Sequence, residues 1–207
     1  MPIEIPDQEK YLELKYQRMA RIVDAKMSRV TDPIIKKVYK KFGVNIFRRC
    51  SAPADYSEKV FKDTMGHGKF VSALEIGTLN GITAAVMSQY VDKVYTFDIE
   101  DYDKKYEIWE YLGVRDKIKF YKINNELEKA DIINKLYFDI AYIDGDHLHC
   151  TWSDFFLTRK CKHCIIHEAT LESSEPWKLV QALPKKQVKY FKFAFIKECT
   201  IAYWNGE

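Results

Sequence analysis

V-S-A-L-E-I-G-T-L-N-G-I-T-A-A-V-M-S-Q-Y-V-D-K-V-Y-T-F-D, Val71 to Asp98, is the stretch on which the reading of this chain turns. An apolar run, Val71 to Ile76, reads as a buried strand. Gly77 lets the backbone turn sharply out of it and lets a ligand approach the main chain. A helix from about Gly81 to Tyr90 follows, and its first turn aims free N–H groups at that ligand. A second strand, Lys93 to Phe97, leads to Asp98, twenty-one positions after Gly77. An acid at that place suits the two hydroxyls of a ribose. The turn is G-x-x-x-G and lacks the G-x-G-x-x-G of dinucleotide binders. Glu75, two residues before Gly77, would repel a phosphate and attract a cation such as an amino acid's ammonium.

Outward from this unit, the β-α alternation continues. A helix carrying Tyr106, Ile108, Trp109 and Leu112 ends at Gly113, and a third strand runs from Ile118 to Ile123. A short helix over Leu127–Leu136 and a strand over Phe138–Ile143 come next. Then come a helix through Trp152 to Leu157, a strand from Cys164 to His167 and a helix over Trp177–Ala182 that Pro184 ends. Strict alternation predicts an α/β fold: a doubly wound, mostly parallel sheet with helices on both faces. The last strands, Val188–Phe195 and Cys199–Trp204, are joined by Ile196-Lys197-Glu198 with no room for a helix, which predicts an antiparallel pair at one edge. Residues 1–69 read as an N-terminal helical extension, a cap or an oligomerisation arm, and 70–207 as the sheet domain. In the extension, apolar residues from Tyr11 to Met27 recur at helical spacing. Thr31-Asp32-Pro33 restarts the helix, Gly43 stops it, and Gly66-His67-Gly68 forms a joint before the first strand.

Composition narrows the class. With 47% hydrophobic and 30% charged residues over 207 positions, the chain has the material of a globular core. Net charge is +3, too balanced to imply nucleic acid or a membrane surface as partner. The start has no apolar signal core, no run nears the ~18 residues of a membrane span, and the expectation is a cytoplasmic protein. Five cysteines without framework spacing are expected as reduced thiols. Cys161-Lys162-His163-Cys164, near His167 and Cys150, invites a zinc reading, but no second ligand pair stands at a structural-zinc distance.

Two further clusters carry chemistry. Asp144, Asp146 and His147 place two carboxylates and an imidazole within four positions, at the end of the fourth strand. Such a group binds a divalent cation or moves a proton. Asp139, before the apolar run, reads as structural. His167-Glu168 ends the fifth strand and should lie beside Asp144.

Taken together, L-E-I-G-T-L-N-G, V-Y-T-F-D-I and F-D-I-A-Y-I-D-G-D-H resemble the class I S-adenosylmethionine-dependent methyltransferases, in the branch with L-E-I-G-T-x-x-G and F-I-D-G-D-H. The resemblance spans about residues 70 to 170. It implies a Rossmann-like seven-stranded sheet, order 3-2-1-4-5-7-6, with strand seven reversed. It implies S-adenosylmethionine as cofactor: Glu75 and Gly77 by its methionine part, Asp98 on the ribose, with Thr78, Gly81, Ile99 and Asp144 completing the cradle. Where relatives often carry an acid beside the adenine, this chain has Asn124 or Asn125, whose amide can also hydrogen-bond the adenine amino group. Relatives that O-methylate sugars hold Mg²⁺ on the matching acids. That analogy makes Asp144, His167 and Glu168 metal ligands and His147 the base, with Asp144 beside it in the catalytic site. His167 suits a transition metal better than Mg²⁺. The activity implied is O-methylation of a small-molecule or sugar hydroxyl, with metal assistance as an open question.

A protein that keeps the cofactor fold as a catalytically silent scaffold or regulatory subunit is the alternative. A nicotinamide dehydrogenase lacks its glycine turn, and the Tyr-x-x-x-Lys pair occurs only as Tyr11 with Lys15. A nucleic-acid methyltransferase is disfavoured by the charge balance and by the lack of an Asn/Asp-Pro-Pro-Tyr type motif.

Overall fold

The computed structural model describes residues 32–43, 46, 55–146, 148–169, 174–192 and 200–206. The helical pattern before Thr31, the oligomerisation arm read into it, the Ile196-Lys197-Glu198 link and His147 lie outside the described residues. The chain divides into two compact units, Met1–Asp55 and Tyr56–Glu207.

In the first unit, helix α1 spans Pro33–Phe42. The Asp32 carboxylate accepts the N–H groups of Ile34 (2.8 Å) and Ile35 (3.0 Å), and Pro33 occupies the first turn, where its missing N–H costs nothing. The helix stops at Gly43, whose positive φ of 72° a side chain would resist.

Helix α2 spans Asp55–Met65, and the second unit is built on a seven-stranded sheet in the order β3-β2-β1-β4-β5-β7-β6. The strands are β1 (Ser72–Ile76), β2 (Lys93–Asp98), β3 (Ile118–Lys122), β4 (Ile140–Ile143), β5 (His163–Ile166), β6 (Val188–Lys192) and β7 (Thr200–Asn205). β1 to β5 run parallel, and β7 is antiparallel to both β5 and β6. This is the predicted order with the predicted reversal. The order reverses between β1 and β4, so the carboxyl ends of those two strands open the crevice in which α/β sheets take ligands. β1 and β4 are buried at every position because helices cover both faces, and their sequences are accordingly apolar apart from Ser72 and Glu75 in β1. The edge strands β3 and β6 instead carry Lys119, Lys122, Lys189 and Lys192, which discourage further pairing.

The connecting helices are α3 (Ile82–Met87), α4 (Lys104–Leu112), α5 (Glu126–Lys135), α6 (Thr151–Thr158) and α7 (Glu175–Ala182). Their apolar residues Ile133, Phe155, Leu179 and Val180 join Leu74 and Ile166 in one core cluster. α3 is shorter than expected because two tight turns, Gln89 N–H to Val86 O and Tyr90 N–H to Met87 O, replace its last turn. β4 starts two residues late because the Asp139 carboxylate accepts the N–H groups of Val71 and Ser72, both at 2.8 Å. Asp139 thus pins the start of β1, the structural role expected of it. No helix among the described residues is long and apolar enough to cross a membrane.

Candidate functional site

The site gathers at the carboxyl ends of β1, β2 and β4. Glu75 lies opposite Thr96 in the β1–β2 register, and both are fully buried. The Thr96 hydroxyl donates to Glu75 Oε2, and the Thr78 hydroxyl lies 2.6 Å from that of Thr96. One carboxylate oxygen therefore ends a buried chain of hydroxyls. The other, Oε1, has no hydrogen-bond partner among the described residues. Burial pushes the Glu75 carboxyl well above the usual range, against the Thr96 hydrogen bond, and the nearby carboxylates of Asp144 and Asp98 add to the push. Among the described residues, the acid thus keeps one buried acceptor atom without a partner.

Gly77 makes the crevice. Its φ of 97° excludes most side chains, and a Cβ there would overlap the Asp144 carbonyl oxygen. β1 and β4 can therefore release their chains side by side only over a glycine. Gly81 (φ 72°) has a different reason. A Cβ there would strike the Trp109 indole, whose Nε1–H donates to the Gly81 carbonyl at 2.8 Å. Leu79, between them, has a φ of 46° and gives its N–H to Asp98 Oδ2 at 2.7 Å. Asp98 Oδ1 accepts from Glu100 N–H at 3.1 Å. The acid of β2 thus holds the glycine turn in place and keeps further lone pairs on both oxygens. Ile99 beside it is 65% exposed, unusual for so large an apolar side chain.

Asp144 is one-quarter exposed at the end of β4. His167 Nδ1 lies 2.7 Å from its Oδ1, and the Tyr142 hydroxyl 3.4 Å from its Oδ2. His167 follows β5, where its N–H is fixed by the Ile143 carbonyl, and it is buried. The predicted neighbourhood of Asp144 and His167 therefore forms. Glu168 follows with a positive φ of 53°. Asp146 is committed to its own turn, accepting Leu148 N–H at 2.8 Å and lying 3.0 Å from His149 Nδ1. Among the described residues, no three His, Cys, Asp or Glu side chains converge as a metal-binding group. Of the expected metal ligands, Asp144 and His167 come together, and no step below is routed through a metal ion.

Asn125 caps α5, accepting Glu128 N–H at 2.9 Å, while Glu128 reaches back to the N–H and Nδ2 of Asn124 at 2.8 and 2.9 Å. Asn124 therefore keeps Oδ1 as its acceptor. Three residues of the site escaped sequence reasoning: Thr96, Trp109 and Tyr142. Thr96 and Tyr142 stand inside the quoted motifs and Trp109 is read only as a helix residue; nothing local marks them, because their roles depend on strand register and on how α4 lies over the turn.

The fold is the Rossmann-like fold of methyltransferases. No protein-family model and no curated protein matches the sequence. Solved structures do match by shape. One is an O-methyltransferase from Bacillus cereus in complex with SAH, with 16% identity over 89% of this chain and 97% of that one and a TM-score of 0.67. Another is the O-methyltransferase TomG from Streptomyces achromogenes in complex with SAM, with 11% identity over 93% and 99% and a TM-score of 0.63. The SAH-bound methyltransferase PaMTH1 of Podospora anserina is similar over 99% of this chain and 100% of its own, at 12% identity and a TM-score of 0.56.

Proposed function

We propose that this chain is an S-adenosylmethionine-dependent methyltransferase that transfers to a hydroxyl oxygen of a small molecule or sugar. The observation that carries the reading is Glu75: a fully buried carboxyl with an oxygen that has no partner among the described residues, beside a glycine turn at the switch point of a methyltransferase fold. The cofactor, when bound, supplies an electrophilic methyl group on a sulfonium. Glu75 Oε1 accepts from the cofactor's ammonium, and the positive charge stabilises the ionised carboxyl that burial disfavours. Asp98 would take the ribose hydroxyls on its remaining lone pairs, Ile99 would cover a face of the adenine, and Asn124 Oδ1 would accept from its amino group. Gly77, Thr78 and Gly81 shape the wall of the cradle.

At the acceptor end, Asp144, with His167 Nδ1 2.7 Å from its Oδ1, would position the hydroxyl. His147, two residues beyond the turn at Gly145, is the base in this reading and takes the hydroxyl proton. Calorimetry with S-adenosylmethionine, with and without Mg²⁺, tests the first half: binding is expected in both, and no binding in either would sink the reading. His147→Ala tests the second half. It should abolish turnover on an accepted hydroxyl while leaving cofactor affinity nearly unchanged, whereas loss of both would mark a structural histidine.

A further inference from the structure

Thr96 is a polar residue in a place that suits an apolar one. Val94 and Phe97, in the same strand, are buried apolar residues, and Thr96 is wholly inaccessible. A buried hydroxyl costs free energy unless it is hydrogen-bonded. Thr78, directly after the Gly77 turn, is buried as well and under the same constraint.

Strand register brings both hydroxyls to Glu75. In the parallel β1–β2 pair Glu75 stands opposite Thr96, so the two side chains leave the same face of the sheet. The Thr96 hydroxyl donates to Glu75 Oε2. A hydroxyl has one proton, and Thr96 uses its proton on the carboxylate. The 2.6 Å contact between the Oγ1 atoms of Thr78 and Thr96 is then a bond in which Thr78 donates. The chain has one direction, Thr78 to Thr96 to Glu75, and it ends on one oxygen of the acid. Oε1, equally buried, has no partner among the described residues. A strand threonine has a restricted χ1, so the backbone itself fixes where the Thr96 donor stands. A glutamate side chain has three rotatable bonds, and ordering it at the moment of binding opposes affinity. Holding Oε2 orders it beforehand. The Thr96 bond also favours the ionised carboxyl against burial, and the second hydroxyl polarises the first.

We propose that Thr96 and Thr78 are positioning residues whose hydroxyls act in series to hold Glu75 Oε2, so that Oε1 is presented to the ammonium of the bound cofactor. The inference rests on the methyltransferase reading above and adds to it the pair of residues that set the amino-acid end of the cradle. Neither hydroxyl touches the cofactor. Thr78 shapes the cradle wall with its backbone and reaches the ligand only through Thr96 and Glu75. The selectivity that follows is for ligands with a cationic nitrogen at that end, over ligands of the same shape without one.

The test is calorimetry on the full-length chain with two ligands: S-adenosylhomocysteine, and its desamino analogue, which keeps the carboxylate and lacks the ammonium. Thr96→Val removes the hydroxyl and nearly conserves the volume. It should weaken S-adenosylhomocysteine by about tenfold and leave the desamino analogue within about twofold of wild type. Thr96→Ser, which keeps the hydroxyl, should restore S-adenosylhomocysteine binding. Thr78→Val should weaken it by about threefold and add nothing on top of Thr96→Val, because groups in series are coupled. Should Thr96→Val fail to fold, Thr78→Val carries the same comparison of the two ligands. Where the analogue binds too weakly to measure, the contrast of valine with serine and the non-additivity decide. Equal weakening of both ligands, additive losses, or a Thr96→Val chain that binds like wild type would overturn the proposal and leave the methyltransferase reading standing. A wild-type chain that binds neither ligand would overturn both.

Discussion

Glu75 and Gly77 are two residues apart and fail for opposite reasons when changed. Glu75→Gln keeps the shape and removes an ionisation that burial opposes, so stability should hold or rise while affinity for S-adenosylmethionine falls. The pH dependence follows from the same shift. In the free protein Glu75 keeps its proton above the ordinary carboxylate range, and a cationic ligand favours the ionised form. Affinity should therefore rise with pH through that window, and Glu75→Gln should flatten the rise; calorimetry across pH reads both. A wild-type affinity without that slope would remove Glu75 from the cofactor contact. Gly77→Ala, in contrast, puts a Cβ onto the Asp144 carbonyl at a positive φ. It should cost more than about 1 kcal/mol in urea unfolding and abolish cofactor binding. Sequence inspection marked both residues as cofactor contacts. It could not tell that Gly77 answers to β4, or that Gly81 answers to Trp109, because those neighbours are remote in the chain.

Between elements, the join of α5 to α6 rests on a buried ion pair. Lys129 Nζ lies 2.5 Å from Asp154 Oδ1, both nearly inaccessible, and 2.7 Å from Glu126 Oε2 at the surface. Burial pushes Asp154 up to about 6 in spite of Lys129, and Lys129 is itself raised, so the pair is ionised at neutral pH. Lys129→Ala strands the carboxylate and should cost about 3–5 kcal/mol in urea unfolding. Lys129→Met with Asp154→Leu should cost far less, and equal losses would show that packing rather than charge joins the helices. The folded Asp154 holds a proton that the unfolded chain has released between the ordinary carboxylate value and about 6. Its contribution therefore makes stability fall as pH rises through that window, and Asp154→Asn should remove that component. Nothing in the sequence pairs these residues. Lys129 reads as an exposed helix lysine, and only the packing of two helices on one sheet face buries it.

Across the whole molecule, β7 is the strand that closes the sheet. It lies between β5 and β6 and is antiparallel to both, with Ile201 and Ala202 buried. Deleting residues 200–207 takes the only described neighbour of β6 and leaves β5 as a raw edge. The truncated chain should lose cooperative unfolding and aggregate, read by circular dichroism and light scattering. The strand alternation, the reversed final pair, the core runs in β1 and β4, and the acids at the ends of β1, β2 and β4 were all determined by the sequence alone. Each of these is a local matter: periodicity, glycine punctuation, and the position of a charge relative to an apolar run. Only the tertiary structure decided that Thr96 engages Glu75 while Oε1 has no partner among the described residues, and that His167 comes within 2.7 Å of Asp144. These features depend on register between strands distant in sequence and on burial that several elements impose together, and neither is encoded in any single stretch of chain.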